Sequence, residues 1–165
     1  MDLMQTQDQK ALLAHQRGMQ LKQIGEAKST VMTTYRSIKV GYNQEEYLQD
    51  IKSSRLRVIM SRFRCGQHGL QVQLGRQTKP WVPHCDRKCT CCESGSVEDE
   101  HHFLFDCPLY ADLRGKAKFA SLIWFPAIAI GSTRVFLNYN DSTSVASYID
   151  ESMNKRSQYM NCPDQ

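Results

Sequence analysis

Six potential metal ligands fall within the 24 residues RKCTCCESGSVEDEHHFLFDCPLY, and no other feature of the chain constrains its fold as strongly. Cys89 and Cys92 form a C-x2-C pair, the spacing at which a tight turn lets two thiolates reach one ion. One of the adjacent histidines, His101 or His102, could supply the third ligand and Cys107 the fourth. The stretch therefore predicts a small domain held together around one metal site.

The second half of this stretch predicts a short helix. We expect Ser96 to cap it, with acidic residues in the first turn, where the helix dipole favours them. Five residues advance about 500° around an ideal helix, so His102 and Cys107 would lie about 140° apart. They can meet at one ion only if the helix ends between them. Pro108 disfavours the helical conformation at Cys107 and so predicts that ending.

Three thiolates and one imidazole are the ligands of a closed tetrahedral zinc site, so we predict one Zn²⁺. A closed set leaves no coordination position for water, which indicates a structural rather than a catalytic metal. Cys91 shares the turn, but adjacent side chains diverge, so we expect it not to bind the ion. His84 and Cys85 are alternative ligands. A chance cluster of thiols and exposed histidines is the competing interpretation.

Basic residues are concentrated in the segment from residue 52 to residue 88. It holds one acid, Asp86, and carries a charge of +8, whereas the whole chain carries +4. Its first part predicts an amphipathic helix with Ile51, Leu56, Ile59, Met60 and Phe63 on one face. The segment is a candidate phosphate-contacting surface, and an ordinary solvated helix face is the alternative. The nine basic residues are Lys52, Arg55, Arg57, Arg62, Arg64, Arg76, Lys79, Arg87 and Lys88.

The remaining pattern predicts a mainly α-helical fold with at most a short strand pair. Residues 1–28 form a helical arm, residues 29–156 a single domain with a knuckle at residues 85–110, and residues 157–165 a disordered tail. LQVQL alternates like a short strand. Ser142 or Thr143 is the expected cap of the last helix, and the apolar run FASLIWFPAIAI is expected to be core.

The sequence gives no sign of several common classes of protein. The chain starts without a basic flank or an apolar run, so we expect no secretory signal and an intracellular protein, in the nucleus or cytoplasm. The chain has seven cysteines, which inside a cell indicate thiols or a metal rather than disulfides. There is no phosphate-cradling glycine loop or nucleophile elbow. YADL lacks the second aspartate of a polymerase site, so we expect no enzyme activity.

Several motifs, in the same order, resemble the C-terminal zinc-knuckle region of reverse transcriptases encoded by non-LTR (LINE-like) retrotransposons. They are a basic helix, a segment ending in Gly75-Arg76, the C-x2-C pair, the acidic pair Glu98-Asp99, an H-x4-C and the run Pro108-Leu109-Tyr110. The resemblance covers residues 33–156. It implies that His102, rather than His101, is the ligand beside Cys89, Cys92 and Cys107.

The resemblance further implies a nucleic-acid-associated accessory region of a mobile-element polyprotein. We therefore expect weak, mostly sequence-independent binding to RNA or DNA, and no membrane partner. Trp81 could stack on an unpaired base, although we expect it to be packed beneath the knuckle. A zinc-stapled protein–protein adaptor, a RING-type module and an element remnant without selected function are the alternatives.

Overall fold

A computed structural model describes residues 2–26, 33–39, 41, 43–116, 118, 133–139 and 141–161 of the chain. The structure is mainly helical, which confirms the predicted fold class. The α-helices are α1 (Asp2–Glu26), α2 (Thr33–Ile38), α3 (Tyr47–Asp50), α4 (Ser54–Arg64), α5 (Gln71–Gln77), α6 (Ala111–Arg114), α7 (Thr133–Tyr139) and α8 (Ser142–Met160). Within these residues, β pairing is confined to one antiparallel bridge, Lys88 to Val97.

The core forms where α4 packs against α8. The Ser53 side chain caps α4 by accepting the Leu56 N–H, and the helix then presents the predicted apolar face inward. Met60 and Phe63 are buried, while Leu56 and Ile59 are partly buried against the same core. The helical periodicity of this segment therefore predicts its packing correctly.

The cap of α8 lies one residue earlier than predicted. Asp141, rather than Ser142 or Thr143, stands at the N-cap, and its carboxylate accepts the Ser144 N–H at 2.7 Å. Asp141 holds the non-helical backbone conformation that a cap requires, whereas the two predicted residues are already inside the helix.

The end of α8 lies later than predicted. The helix runs to Met160, so the tail expected from residue 157 begins too early, and residues 162–165 lie outside the described part of the chain. Met160 Sδ lies 3.9 Å from Cys91 Sγ and 3.5 Å from Thr90 Oγ1. These contacts give the last helical turn a packing surface on the knuckle, which explains why it extends.

The segment LQVQL, predicted as a strand, is helical from Gln71 onward and forms the start of α5, with Leu70 at the N-cap. Val72 and Gly75 are buried three residues apart, which is a helical spacing. The Gln71 N–H, at the start of α5, donates to the Glu98 carboxylate at 2.8 Å. The buried Glu98 carboxylate favours a helix over a strand here, because it accepts one of the N–H groups that the first turn of a helix leaves without a partner.

The N-terminal arm corresponds to α1, in which residues 9–20 are all exposed. The next described element is α2, where Ile38 is buried. The apolar run at residues 119–130, predicted as core, lies outside the described residues. None of the described helices has the length and apolar character needed to cross a membrane.

Candidate metal centre

A tight hairpin brings the first two cysteines together. The Cys89 N–H donates to Ser96 O at 2.8 Å, and the Glu98 N–H donates to Arg87 O at 2.9 Å. Gly95 adopts a φ of 65° at the turn, a conformation that glycine reaches without strain. The hairpin thus closes around the C-x2-C pair.

A π-helical turn brings the other two side chains together. His102–Asp106 is π-helical, and the Cys107 N–H donates to His102 O at 2.8 Å. The predicted ending between the two residues is confirmed, because the helical turn stops at Asp106. The wider π-helical turn, which the sequence did not predict, also links residues five apart and places them on the same side. Cys107 itself has a non-helical backbone, as the following Pro108 predicts.

Asp99 caps this helical turn, which corrects the prediction of Ser96. The Asp99 carboxylate accepts the His102 N–H at 2.8 Å. Ser96 remains in the hairpin, where its carbonyl accepts the Cys89 N–H. The cap therefore holds the backbone of the predicted histidine ligand directly.

The side chains of Cys89, Cys92, His102 and Cys107 converge, and one donor atom from each lies within 4.8 Å of the other three. The two sulfurs of Cys89 and Cys107 are 3.9 Å apart, and Cys92 Sγ lies 3.4 Å from His102 Nε2. A tetrahedral zinc with Zn–S of about 2.3 Å and Zn–N of about 2.0 Å needs an S–S separation of about 3.8 Å and an S–N separation of about 3.5 Å. The spacing therefore fits a metal, and it is far too long for a disulfide.

Two thiols of the site favour the protonated form unless a cation lies beside them. Burial raises the pKa of the Cys107 thiol to about 12, and the neighbouring sulfurs of Cys89 and Cys92 add to the rise. A hydrogen bond with Cys91, together with burial, raises the pKa of Cys89. Thiols this crowded are deprotonated together only beside a positive charge, which a divalent metal supplies.

One ring nitrogen of the buried His102 faces the cluster, and the other has no partner in the part of the chain that the structure describes. Its Nδ1 atom is buried and has no hydrogen-bond partner among the described residues. Its Nε2 atom faces Cys92 Sγ. A ring nitrogen that faces the sulfur of a predicted ligand is placed to bind the same ion, and it is this Nε2 contact, rather than the unpaired Nδ1, that fits His102 as a ligand.

His101 is directed away from the cluster. Its side chain is 42% exposed, its ring packs on Phe105, and its Nε2 atom lies 3.6 Å from an Asp106 oxygen. The structure therefore brings His102, and not His101, to the three sulfurs. The alternative ligands His84 and Cys85 are both exposed and belong to neither ligand group within the described chain.

Cys91 is nearer to the site than the sequence suggests. It is buried, and Cys89, Cys91 and Glu98 also place donor atoms within 4.8 Å of one another. However, both Glu98 oxygens bind the Arg156 guanidinium, and one also accepts the Gln71 N–H. A metal at this second group would have to displace that ion pair. The set of three cysteines and one histidine has no such competitor.

Arg87 supports the knuckle from inside, a role that the sequence analysis missed. Its buried guanidinium donates to Val72 O at 2.9 Å and to Val82 O at 3.0 Å. Gly75 makes room for it, because a β-carbon there would lie 2.7 Å from Arg87 Cγ. The glycine of the Gly75-Arg76 pair is the signal that could have indicated this close approach.

The nine basic residues divide into three groups by exposure. Arg64 and Arg87 are buried, which removes both from the predicted contact surface, and Arg64 is held by Glu45 at 2.6 Å and by Leu137 O at 3.1 Å. Arg57 and Arg76 are half-buried. Those that remain exposed are Lys52, Arg55, Arg62, Lys79 and Lys88.

Trp81 is not packed beneath the knuckle. It is 61% exposed, and the Arg87 guanidinium carbon lies 5.4 Å from its ring centroid. The expectation that this residue is core is therefore wrong. The buried guanidinium occupies the position beside the knuckle and leaves the indole at the surface.

Comparison of the chain with protein-family models, with curated proteins and with solved structures finds no match. The similarity to reverse-transcriptase zinc knuckles therefore stays a prediction from the motifs.

Proposed function

We infer that Cys89, Cys92, His102 and Cys107 hold one structural Zn²⁺. The observation that carries this proposal is the spacing of the four donor atoms, which matches a tetrahedral zinc site at two independent separations. The ion would join the hairpin to the π-helical turn. Four protein ligands leave no position for a substrate or a water molecule, so the metal stabilises the fold and supplies no chemistry.

The biochemical role that we propose is non-catalytic binding of RNA or DNA. The protein would act as an accessory domain derived from the type of reverse transcriptase that it resembles. Support comes from the exposed cations of the basic segment. Arg55 and Arg62 lie seven residues apart on α4 and thus on one side of it. Arg55 is 66% exposed, although it pairs with Asp150 at 2.9 Å. Binding through such cations is weak and independent of sequence.

An adaptor would contact its protein partner through the acidic run VEDE (residues 97–100) and the apolar run FLF (residues 103–105). Within the acidic run, Glu98 is buried against Arg156, Asp99 caps a helix and Glu100 bonds His68 at 2.9 Å. Two of the three apolar residues after the histidines, Phe103 and Leu104, are fully buried. These side chains are occupied within the fold and are not available to a partner. A RING-type module is also disfavoured, because the two ligand groups found in the described residues share Cys89.

The test is titration with nucleic acid at several salt concentrations. Each phosphate contact contributes about −0.9 to the slope of log affinity against log salt on duplex DNA. Because five cations of the basic segment are exposed, we expect three to five contacts with phosphates. Changing Lys52, Arg55 and Arg62 to Gln should reduce the slope by about two to three and leave the zinc content unchanged.

The matched control changes Lys10, Arg17 and Lys22 of α1 to Gln, which removes the same net charge. We expect that variant to keep the parental slope. An absence of binding at low salt in the parent protein, or equal effects of the two variants, would refute the nucleic-acid role and leave the zinc site standing.

A further inference from the structure

Trp81 combines high exposure with a fixed position. The residue is 61% exposed, which is unusual because tryptophan is highly buried on average. Arg87 covers the ring from one side, with its guanidinium carbon 5.4 Å from the centroid. That guanidinium is itself held by two backbone carbonyls, Val72 O and Val82 O. The support for the ring is therefore rigid.

The backbone around the ring is also restrained. Prolines flank this segment at positions 80 and 83, and each fixes one backbone torsion. The Val82 N–H donates to Gly75 O at 3.1 Å, which ties the segment to α5. An aromatic side chain held in this way loses little conformational freedom when a ligand stacks on it.

Most charged residues near Trp81 in the sequence are basic. Lys79 lies two residues before Trp81, and Lys88 adjoins Arg87; both are exposed. Asp86 is the one acid between residues 79 and 88. A flat aromatic surface beside cations is the combination that binds unpaired bases of a nucleic acid strand, because the ring stacks on the base and the cations contact the phosphates.

We propose that Trp81 is a stacking site for an unpaired nucleobase, so that the domain prefers single-stranded RNA or DNA over duplex. This inference rests on the proposed nucleic-acid role and specifies its ligand. Bases in a duplex present their faces to one another and not to a protein ring, whereas those of a single strand are free to stack. The Arg87–Trp81 pair is thus a preformed platform, and Lys79 and Lys88 are its phosphate contacts.

The experiment compares affinities for a single-stranded and a duplex oligonucleotide of the same length at fixed salt. Trp81→Ala should weaken single-strand binding roughly five- to hundredfold, the range that a stacked base contributes, and leave duplex binding unchanged. Trp81→Phe should retain part of the preference. Leu12→Ala removes an apolar side chain that is similarly exposed, at 58%, and should change neither affinity.

Tryptophan fluorescence distinguishes stacking on Trp81 from a general effect of the substitution on the stability of the protein. The chain has two tryptophans, so the difference in fluorescence between the parent and Trp81→Phe isolates the Trp81 signal. Single-stranded oligonucleotide should quench it and duplex should not. Equal binding of both nucleic acids, unaffected by Trp81→Ala, overturns the stacking site but keeps the nucleic-acid role. An absence of binding to either refutes both proposals.

Discussion

Glu98 and Arg156 form a buried two-point ion pair, with Arg156 Nε 2.7 Å from one Glu98 oxygen and Nη2 2.8 Å from the other. Glu98 is 1% exposed, and its carboxylate raises the pKa of the Arg156 guanidinium. The pair joins the knuckle to α8, and the Gln71 N–H adds α5 to the same carboxylate. Three elements therefore meet at one side chain, immediately before the residue that caps the helical turn of His102.

Replacing Arg156 by Met should destabilise the fold by about 3–5 kcal/mol, because it leaves the Glu98 carboxylate buried without its cation. Chemical denaturation measures the change. Lys155→Met, one residue earlier on α8, is the control, since Lys155 pairs with Asp112 at an exposed site and should cost no more than about 1 kcal/mol. Similar costs for the two variants would show that the buried pair does not organise the domain.

One zinc per chain should co-purify with the protein, and chelation should unfold the knuckle. Structural zinc in finger peptides contributes about 10–16 kcal/mol, which is comparable to or larger than the net stability of a domain. Metal analysis together with circular dichroism provides the test. A folded sample with well under one equivalent of metal would contradict the zinc site.

Cys92→Ser should abolish zinc binding, whereas Cys91→Ser should preserve it. Cys92 Sγ faces His102 Nε2, while Cys91 Sγ lies against Met160 Sδ. Zinc stoichiometry of the two purified variants gives the answer. Loss of metal from Cys91→Ser alone would move the site to the group that contains Glu98, and loss from both variants would contradict the assignment of Cys91 as a residue that does not bind the ion.

His102→Ala should lower zinc affinity by more than about a hundredfold, because even outer-shell partners of a metal contribute about 10–100-fold. His101→Ala should keep the parental affinity, since that side chain is directed away from the sulfurs. Competition with a chelator of known affinity measures both. The reverse result would shift the ligand by one position and leave the three cysteines in place.

Gly75→Ala should destabilise the protein by about 1–3 kcal/mol, although alanine normally favours a helix over glycine. The added methyl would lie 2.7 Å from Arg87 Cγ and displace the side chain that supports Trp81. Thermal unfolding and the Trp81 emission should both change. Gly18→Ala is the control, because among the described residues no atom outside its own stretch of helix lies within 4 Å of an added β-carbon. Its melting temperature should stay constant or rise.

Asp141→Ala should cost about 1 kcal/mol through loss of the α8 cap, and Asp141→Asn only a few tenths. Hydrogen bonds from Ser144 lower the pKa of Asp141 below its usual 3.8. The stabilisation by the charged cap is therefore fully present above that value and is lost as the pH falls through the lower pKa of the folded state. The parent and Asp141→Asn should differ in the pH dependence of stability below about pH 4. Identical profiles would show that the carboxylate contributes no charge effect.

Local features of the sequence predicted the ligand cluster and the main helices. The C-x2-C pair and the final cysteine lie close to the histidines in the sequence, so the three cysteine ligands were identifiable from spacing. The choice of His102 over His101 came from the family resemblance. The apolar period of α4 likewise predicted the buried Met60 and Phe63. Cap positions were less accurate, because Ser, Thr and Asp compete closely for the same role.

Tertiary structure decided the roles of the charged and aromatic residues. Arg64 and Arg87 are buried and Arg156 is partly buried, although all three carry the same side chain as the exposed arginines. Contacts with other segments of the fold account for the difference. The Glu98–Arg156 pair spans 58 residues, and no local pattern encodes such a separation. The helical state of LQVQL depends on the same carboxylate, and the exposure of Trp81 depends on Arg87. The sequence by itself therefore determined which side chains form the candidate metal centre, while the fold decided which cations are left for a partner. The reason is that the metal ligands lie close together in the sequence. A buried charge, in contrast, requires a partner brought from elsewhere in the chain.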